Sequence, residues 1–151
     1  MKLRIPPLVQ FLFCAGFGWL AARLSPGLDY DPRLASHAIA AGLALAGAAI
    51  LAAAVVAFLT ARTTVNPVRP TNAEHLVTTG LYRVSRNPMY LGFALVLTSL
   101  AIWTGNGAAL LAPVVFVAAM TVLQIEPEEK ALKKKFGSAY DVYCRRTRRW
   151  L

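Results

Sequence analysis

The chain reads Gly80-Leu81-Tyr82-Arg83-Val84-Ser85-Arg86-Asn87-Pro88-Met89-Tyr90-Leu91-Gly92 where a basic, polar loop meets a strongly apolar run. Asn87 is a residue type preferred at helix N-caps, and Pro88 suits the first helical position, where its missing N–H costs nothing. The stretch therefore predicts a helix that begins at Pro88 and enters a membrane. Its unpaired N–H groups and positive dipole end favour an anionic ligand, so we expect a binding site there.

The composition indicates an integral membrane protein. Of the 151 residues, 57% are hydrophobic and 15% are charged, whereas soluble domains carry about 25% charged residues. A membrane-spanning helix needs about 20 apolar residues, and the third of the apolar segments is shorter than that. We predict a single all-α integral membrane domain over residues 1–151, with short cytosolic C-terminal helices over residues 126–151. The four predicted transmembrane helices cover residues 5–24, 34–60, 88–103 and 108–125.

The first segment also has features of a secretory signal peptide, because Lys2 and Arg4 precede an apolar stretch. Pro6 and Pro7 open this run, however, and no clear small-residue cleavage site precedes Arg23. We therefore predict that the segment is retained as a membrane helix.

The distribution of Lys and Arg predicts the orientation. The 16 basic residues divide as two before the first segment, two around the first loop, four before the third segment, none between the third and fourth, and eight after the fourth. Short cytoplasmic loops carry an excess of Lys and Arg. We therefore predict a multi-pass protein with both termini in the cytoplasm, whose cationic flanks contact anionic lipid headgroups rather than nucleic acid.

Small residues recur every fourth position in the second segment, which favours close helix packing in lipid. The two stripes that we expect at a helix contact are Ala38, Gly42 and Ala46, and Ala49, Ala53 and Ala57. Gly105-Asn106-Gly107 predicts a tight turn that makes an antiparallel hairpin of the third and fourth segments.

The segments outside the membrane are polar, and their sequences contain recognisable helix start and stop signals. The loop from Ala61 to Asn87 is long without being of low complexity, which favours a functional role. Beyond Ile125, Pro127 predicts a new helix start and Gly137 predicts its end. Ser138 and Asp141 then resemble a capping box that opens a final short helix.

Two charged clusters are expected on one side of the membrane, because the third and fourth segments form a hairpin. Arg83 and Arg86 lie beside the Pro88 helix start, and three carboxylates follow the fourth segment. A zwitterion would fit between them, with its carboxylate on the arginines and its ammonium on a glutamate. Tyr82 and Tyr90 would suit a cationic centre. The three carboxylates of the second cluster are Glu126, Glu128 and Glu129. The alternative is that the residues of both clusters serve only as interface anchors or surface ion pairs.

At this point the sequence resembles a known family. The two motifs are Gly80-x-Tyr82-Arg83-x-Ser85-Arg86-Asn87-Pro88-x-Tyr90-x-Gly92 and Pro127-Glu128-Glu129-x-x-Leu132-x-x-x-Phe136-Gly137-x-x-Tyr140-x-x-Tyr143. Together they are similar to the integral-membrane methyltransferases, which include isoprenylcysteine carboxyl methyltransferase and the phospholipid N-methyltransferases. The resemblance covers residues 63–151.

The resemblance implies that S-adenosyl-L-methionine binds on the cytosolic side and that a lipophilic methyl acceptor reaches it from the bilayer. It implies catalytic roles for Arg86, Asn87 and Glu128. The implied cofactor-binding residues are Tyr82, Arg86, Asn87, Pro88, Tyr90, Leu91, Glu128 and Glu129.

One departure from the family bears on the acceptor, since many relatives carry His where this chain has Asn87. An amide does not shuttle protons, so we favour an acceptor that arrives deprotonated, such as the carboxylate of an isoprenylcysteine-like molecule. A phospholipid amine would have to pass a proton to Glu74, His75 or water. The sequence also leaves open methylation of a thiol and two functions without methyl transfer, a small four-helix transporter and a non-catalytic scaffold.

No metal site is expected. Cys14 lies in the first segment and Cys144 in the C-terminal tail, and neither has the company of other zinc ligands. The pattern does not decide the oligomeric state.

Overall fold

The computed structural model describes residues 5–31, 33–60 and 76–151. Lys2, Arg4, Glu74 and His75 lie outside the described residues, together with the rest of the loop over residues 61–75. The described part of the chain contains helices and no strand, which confirms the predicted all-α class. Its helices are α1 (Pro7–Leu24), α2 (Leu34–Thr60), α3 (Pro88–Trp103), α4 (Leu111–Met120), α5 (Glu126–Phe136) and α6 (Ser138–Arg146). Short 3₁₀ segments cover Pro26–Leu28, Gly80–Arg83 and Gly107–Leu110, and a π-helical turn covers Thr121–Ile125.

The apolar helices are long enough to make this an integral membrane protein. Three described helical stretches have the length and composition to cross a membrane, namely Pro7–Leu24, Ser36–Ala57 and Gly107–Phe136. The helix that begins at Pro88 is apolar but has only 16 residues, as predicted. Large apolar side chains on all of these helices point outward, which suits contact with hydrocarbon rather than water.

Pro127 lies in the first turn of α5, as predicted, but no break in the helical backbone separates α5 from the fourth apolar segment. Ile125 has helical backbone angles (φ −67°, ψ −49°), and α5 continues directly from the π-helical turn. A proline inside an α-helix collides with the carbonyl one turn earlier, and a π turn widens the backbone at that place. As a consequence, the three glutamates of the first turn of α5 are held on the end of a transmembrane helix.

The predicted capping box at the start of α6 is wrong. Gly137 has a positive φ of 54° and ends α5, as expected for a C′ residue. No side chain caps α6, and Asp141 instead forms an ion pair with Lys133 at 3.0 Å. The carboxylate of Asp141 thus pairs with exposed Lys133, one turn before Gly137, and does not cap the helix.

Helix α2 packs on α3 through a different stripe of small residues from those predicted. Ala40, Gly47 and Ala54 are buried and recur every seventh residue, while the predicted stripes are exposed except for half-buried Ala57. A Cβ atom added to Gly92 on α3 would lie 2.9 Å from the carbonyl oxygen of Gly47. Small residues occur on every face of α2, so a four-residue spacing does not identify the face that meets α3.

The core lies between α1, α3 and α4. The rings of Phe11 and Phe93 lie 5.3 Å apart between centroids, and each also contacts Phe116 at 6.4 Å. Leu97 and Met120 are fully buried beside them. These contacts hold α3 and α4 side by side, as the predicted hairpin requires.

The turn at Gly105-Asn106-Gly107 closes one end of the bundle, called here the far end. The side chain of Asn106 is buried, and it accepts a hydrogen bond from the N–H of Ala108 at 2.8 Å. Its amide nitrogen donates to the carbonyls of Ala22 and Ser25 and to Asp29. The loop after α1 is therefore fastened to the turn between α3 and α4. The opposite end, where α3 and α5 begin, is called the site end.

Candidate active site

The start of α3 has no side-chain cap, although Asn87 occupies the N-cap position. The amide nitrogen of Asn87 instead donates to the carbonyl of Arg149 at 3.0 Å, so the expectation that this side chain caps the helix is wrong. The first N–H to bond within the helix is that of Leu91, which donates to the carbonyl of Asn87 at 3.0 Å. The first turn of α3 thus presents backbone N–H groups that no side chain satisfies. Within this turn Pro88 is buried and Leu91 is half-buried.

Arg86 lies almost buried beside this helix start, with 13% of its side chain exposed. One terminal nitrogen donates to the Oε1 atom of Glu129 at 2.8 Å, and the other donates to the carbonyl of Cys144 at 3.3 Å. The Nε–H group is also buried, and it has no hydrogen-bond partner among the described residues. A buried guanidinium with one unused N–H is suited to a ligand that brings an oxygen.

Glu129 uses both carboxylate oxygens for arginines. Arg149 contacts it with two nitrogens, Nε to Oε1 at 3.1 Å and a terminal nitrogen to Oε2 at 2.6 Å. These hydrogen bonds with Glu129 raise the pKa of Arg149 above its ordinary value. The sequence reasoning missed Arg149. It lies 20 positions after Glu129 in a basic tail, and no local sequence pattern links the two residues. Glu126 lies farther from Arg149, at 3.8 Å.

Glu128 belongs to a second, neighbouring cluster. The hydroxyl of Tyr90 donates to its two carboxylate oxygens at 2.9 and 3.2 Å. The amide nitrogen of Gln124, in the π-helical turn, also donates to Glu128. Tyr90 and Gln124 are buried, so neutral donors hold this carboxylate at the inner side of the site. The sequence reasoning missed Gln124, which lies inside the apolar run that was read only as a membrane span.

Tyr82 is buried next to these clusters and is tied to α6. The hydroxyl of Tyr143 donates to the carbonyl of Tyr82 at 2.7 Å, and that of Thr147 donates to the carbonyl of Arg83 at 3.3 Å. Burial raises the pKa of both the Tyr82 and the Tyr143 hydroxyl, so both stay protonated.

The chain after α6 lies directly against the segment before α3. Ser85 and Arg148 form a parallel β-bridge, and the N–H of Arg86 donates to the carbonyl of Arg148 at 3.0 Å. We call residues 82–87 and 143–150 together the C-terminal junction. Through it the tail holds both Arg86 and Asn87 in place, which the motif pattern alone did not reveal.

The structure thus brings the predicted residues together at one end of the bundle. The start of α3 and the glutamates of α5 meet through the Arg86–Glu129 and Tyr90–Glu128 contacts. Arg83 stands apart, since its side chain is exposed. The described residues contain no group of three or more His, Cys, Asp or Glu residues placed to hold a metal ion.

Comparison with known proteins concerns the same region. A family model described as phospholipid methyltransferase matches residues 35–139, which include nearly all of α2, the start of α3 and the glutamates of α5. An uncharacterized protein of Haemophilus influenzae is 40% identical over 63 residues, which are 42% of this chain and 100% of that relative. No solved structure matches the chain. The match to the family model covers more than half of the chain and includes Arg86, Glu128 and Glu129, which confirms the resemblance drawn from the two motifs. The chain therefore belongs to the phospholipid methyltransferase family.

Proposed function

We propose that the protein transfers a methyl group from S-adenosyl-L-methionine to a lipophilic acceptor at the membrane. Family membership supports membrane methyltransferase activity in general. The observation that carries the more specific proposal is the buried Nε–H of Arg86, which lacks a partner among the described residues and lies in the same site as the Glu128 carboxylate. An anion-binding group and an acidic group in one site match a zwitterionic ligand.

The residues at the site fit this cofactor. Arg86 and the uncapped first turn of α3 would hold its carboxylate. Glu128, with Tyr90 and Tyr82 nearby, would hold its positively charged groups. When bound, S-adenosyl-L-methionine supplies an electrophilic methyl group on a sulfonium.

Glu129 has a different role in this proposal from the one that the motif implied. Because both of its oxygens accept hydrogen bonds from Arg86 and Arg149, it positions Arg86 rather than receiving the ligand's ammonium. The side chain of Asn87 likewise positions the tail, because its amide nitrogen donates a hydrogen bond to the backbone carbonyl of Arg149. Pro88 and Leu91 shape the helix start on which the ligand rests.

The favoured acceptor is a nucleophile that is already anionic, such as the carboxylate of an isoprenylcysteine-like molecule. Asn87 cannot take a proton, and Glu128 already accepts hydrogen bonds from Tyr90 and Gln124. An anionic acceptor needs no base, and alignment next to the bound cofactor supplies much of the rate enhancement. In this scheme the chain's residues bind, orient and exclude water.

A phospholipid amine is the second candidate, because the matching family model is described as phospholipid methyltransferase. The two candidates differ in the bond that the methyl group forms: a carboxylate gives a methyl ester, and an amine gives an N-methyl group. Protein in nanodiscs would be incubated with S-adenosyl-L-methionine carrying a radiolabelled methyl group and a total lipid extract. Mild alkali releases labelled methanol from a methyl ester but not from a methylated amine, so label that resists alkali would contradict the carboxylate proposal.

The proposal treats residues 1–151 as one domain with the site end and both termini facing the cytoplasm. The excess of basic residues at that end supports this orientation. With Cys14 and Cys144 replaced by serine, labelling of single cysteines introduced at exposed Arg145 and exposed Leu28 would test it in intact cells, using a reagent that does not cross membranes. Reaction at position 145 in unbroken cells would contradict a cytoplasmic site end.

Binding of the cofactor is tested by calorimetry with S-adenosylhomocysteine, the demethylated product. We expect the unaltered protein to bind it and Arg86→Lys to bind at least about tenfold more weakly, since lysine keeps the charge but lacks the planar N–H fork. Arg83→Lys is the matched control, because Arg83 is exposed, and it should bind normally. Absence of binding to the unaltered protein, or equal binding by Arg86→Lys, would contradict the proposal.

A further inference from the structure

The C-terminal junction carries exposed positive charge outside the proposed cofactor site. Arg86 and Arg149 are ion-paired with Glu129, and Arg149 also lies 3.8 Å from Glu126. Four other arginines of the C-terminal junction are exposed and form no ion pair with the described residues. They are Arg83, Arg145, Arg146 and Arg148.

These arginines are gathered by the fold and not only by sequence. Arg83 is brought to the tail by the hydrogen bond from Thr147 to its carbonyl, and Arg148 by the bridge to Ser85. Arg145 and Arg146 form the last turn of α6, directly before these contacts. Two segments that are far apart in sequence therefore present one cationic surface.

The same surface lies at the boundary of the apolar helices. Arg83 precedes the Pro88 start of α3 by five residues, and the indole N–H of Trp150 donates to Thr121 on the fourth apolar segment at 3.3 Å. Apolar side chains are exposed among the arginines: 60% of Val84 and 65% of Leu151 are accessible. Exposed arginines mixed with apolar tips and an indole are typical of the headgroup region of a bilayer.

We propose that this surface, formed by the four exposed arginines with Val84 and Leu151, docks the headgroups of anionic phospholipids next to the mouth of the site. Arginine presents a planar fork of N–H groups that matches phosphate oxygens. Basic residues close to an anionic membrane surface are attracted to it, each strengthening association by at most about fivefold. The proposal concerns which lipids surround the site and does not depend on methyl transfer.

The test uses the fluorescence of Trp150. Trp19 and Trp103 lie near the far end, so Trp19→Phe/Trp103→Phe leaves one tryptophan at the proposed surface. This protein would be placed in nanodiscs that contain phosphatidylglycerol or phosphatidylcholine with identical brominated acyl chains. Since bromine quenches tryptophan on contact, a difference in quenching reports a headgroup preference alone. We expect stronger quenching by phosphatidylglycerol.

Arg83→Gln/Arg148→Gln should remove most of this preference, and Arg23→Gln/Arg33→Gln is the matched control. The control removes the same charge from exposed positions next to the loop between α1 and α2, and it should leave the preference unchanged. The preference should also fall at about 1 M salt, where the Debye length is about 3 Å.

Equal quenching by the two lipids, or a preference that survives in Arg83→Gln/Arg148→Gln, would overturn the proposal. If the removal of both tryptophans prevents folding, native mass spectrometry of the protein with all its tryptophans provides a second measurement. Phosphatidylglycerol should be retained over phosphatidylcholine from an equal mixture, and it should be lost in the Arg83→Gln/Arg148→Gln variant. Equal retention of both lipids would again contradict the proposal.

Discussion

The two ends of the bundle join distant segments by different chemistry. At the far end, the neutral side chain of Asn106 is buried and bonds to groups on two loops. At the site end, charged side chains join the segments, because Glu129 accepts hydrogen bonds from both Arg86 and Arg149. At each end, one central residue contacts chain segments that are far apart in sequence.

The two ends differ in whether their buried polar groups all have hydrogen-bond partners. The Asn106 side chain uses both its amide nitrogen and its oxygen, mainly on backbone groups, which suits a structural fastening. The site end leaves the Nε–H of Arg86 buried without a partner among the described residues, and α3 starts there without a side-chain cap. Buried polar groups are normally paired, so an unpaired Nε–H at the site end is a candidate contact for a ligand.

The largest effect is expected from Glu129→Ala. This change leaves Arg86 without its carboxylate in a mostly buried position, which should lower the free energy of unfolding by about 3 kcal/mol and release the tail. Thermal unfolding in detergent micelles, with hydrogen exchange of residues 147–151, would measure both. Glu126→Ala is the control: Glu126 is 3.8 Å from Arg149 and 42% exposed, so its loss should cost less than about 1 kcal/mol. Equal effects of the two changes would show that the charged network does not fasten this end.

Asn106→Ala should lower the free energy of unfolding by about 2 kcal/mol, because it removes a cap and leaves buried carbonyls unpaired. The folded fraction should still bind S-adenosylhomocysteine with normal affinity, which calorimetry would measure. A loss of affinity as large as that expected of Arg86→Lys would mean that the far end is not merely structural.

Gly92→Ala tests whether the site end depends on the packing of α3 against α2. The added Cβ would lie 2.7 Å from the side chain of Leu51 and 2.9 Å from the carbonyl of Gly47. We expect a loss of about 1–2 kcal/mol in thermal unfolding and weaker ligand binding. Gly42→Ala is the control, since nothing lies within 4 Å of the added atom, and it should cause no loss.

The smallest effect concerns pH and should distinguish the two ends. Burial raises the pKa of Tyr82, Tyr140 and Tyr143 at the site end, so the folded state holds these protons more tightly than the unfolded chain does. Their contribution to stability is complete below the ordinary tyrosine pKa of about 10 and is lost as the pH rises beyond it. The midpoint of thermal unfolding should therefore fall as the pH rises above about 10, and it should fall less steeply in Tyr143→Phe. An identical slope in both proteins would contradict this assignment.

Much of the site was predictable because its parts are local. The proline at position 88 marks the start of α3, and Gly137 marks the end of α5. The hairpin between them made the meeting of Arg86 with the glutamates predictable as well. Arg149, Gln124 and the true role of the Asn87 side chain were not predictable, because each depends on a partner that no local pattern identifies.

The sequence by itself determined the helical class, the apolar segments and most of their bounds, because residue hydrophobicity and turn residues act over a few positions. Only the tertiary structure decided which stripe of α2 meets α3 and which arginine completes the bond with Glu129. Several small-residue stripes and several arginines satisfy the same spacing rules. The choice among them depends on which surfaces fit together in three dimensions, and that information is spread over the whole chain.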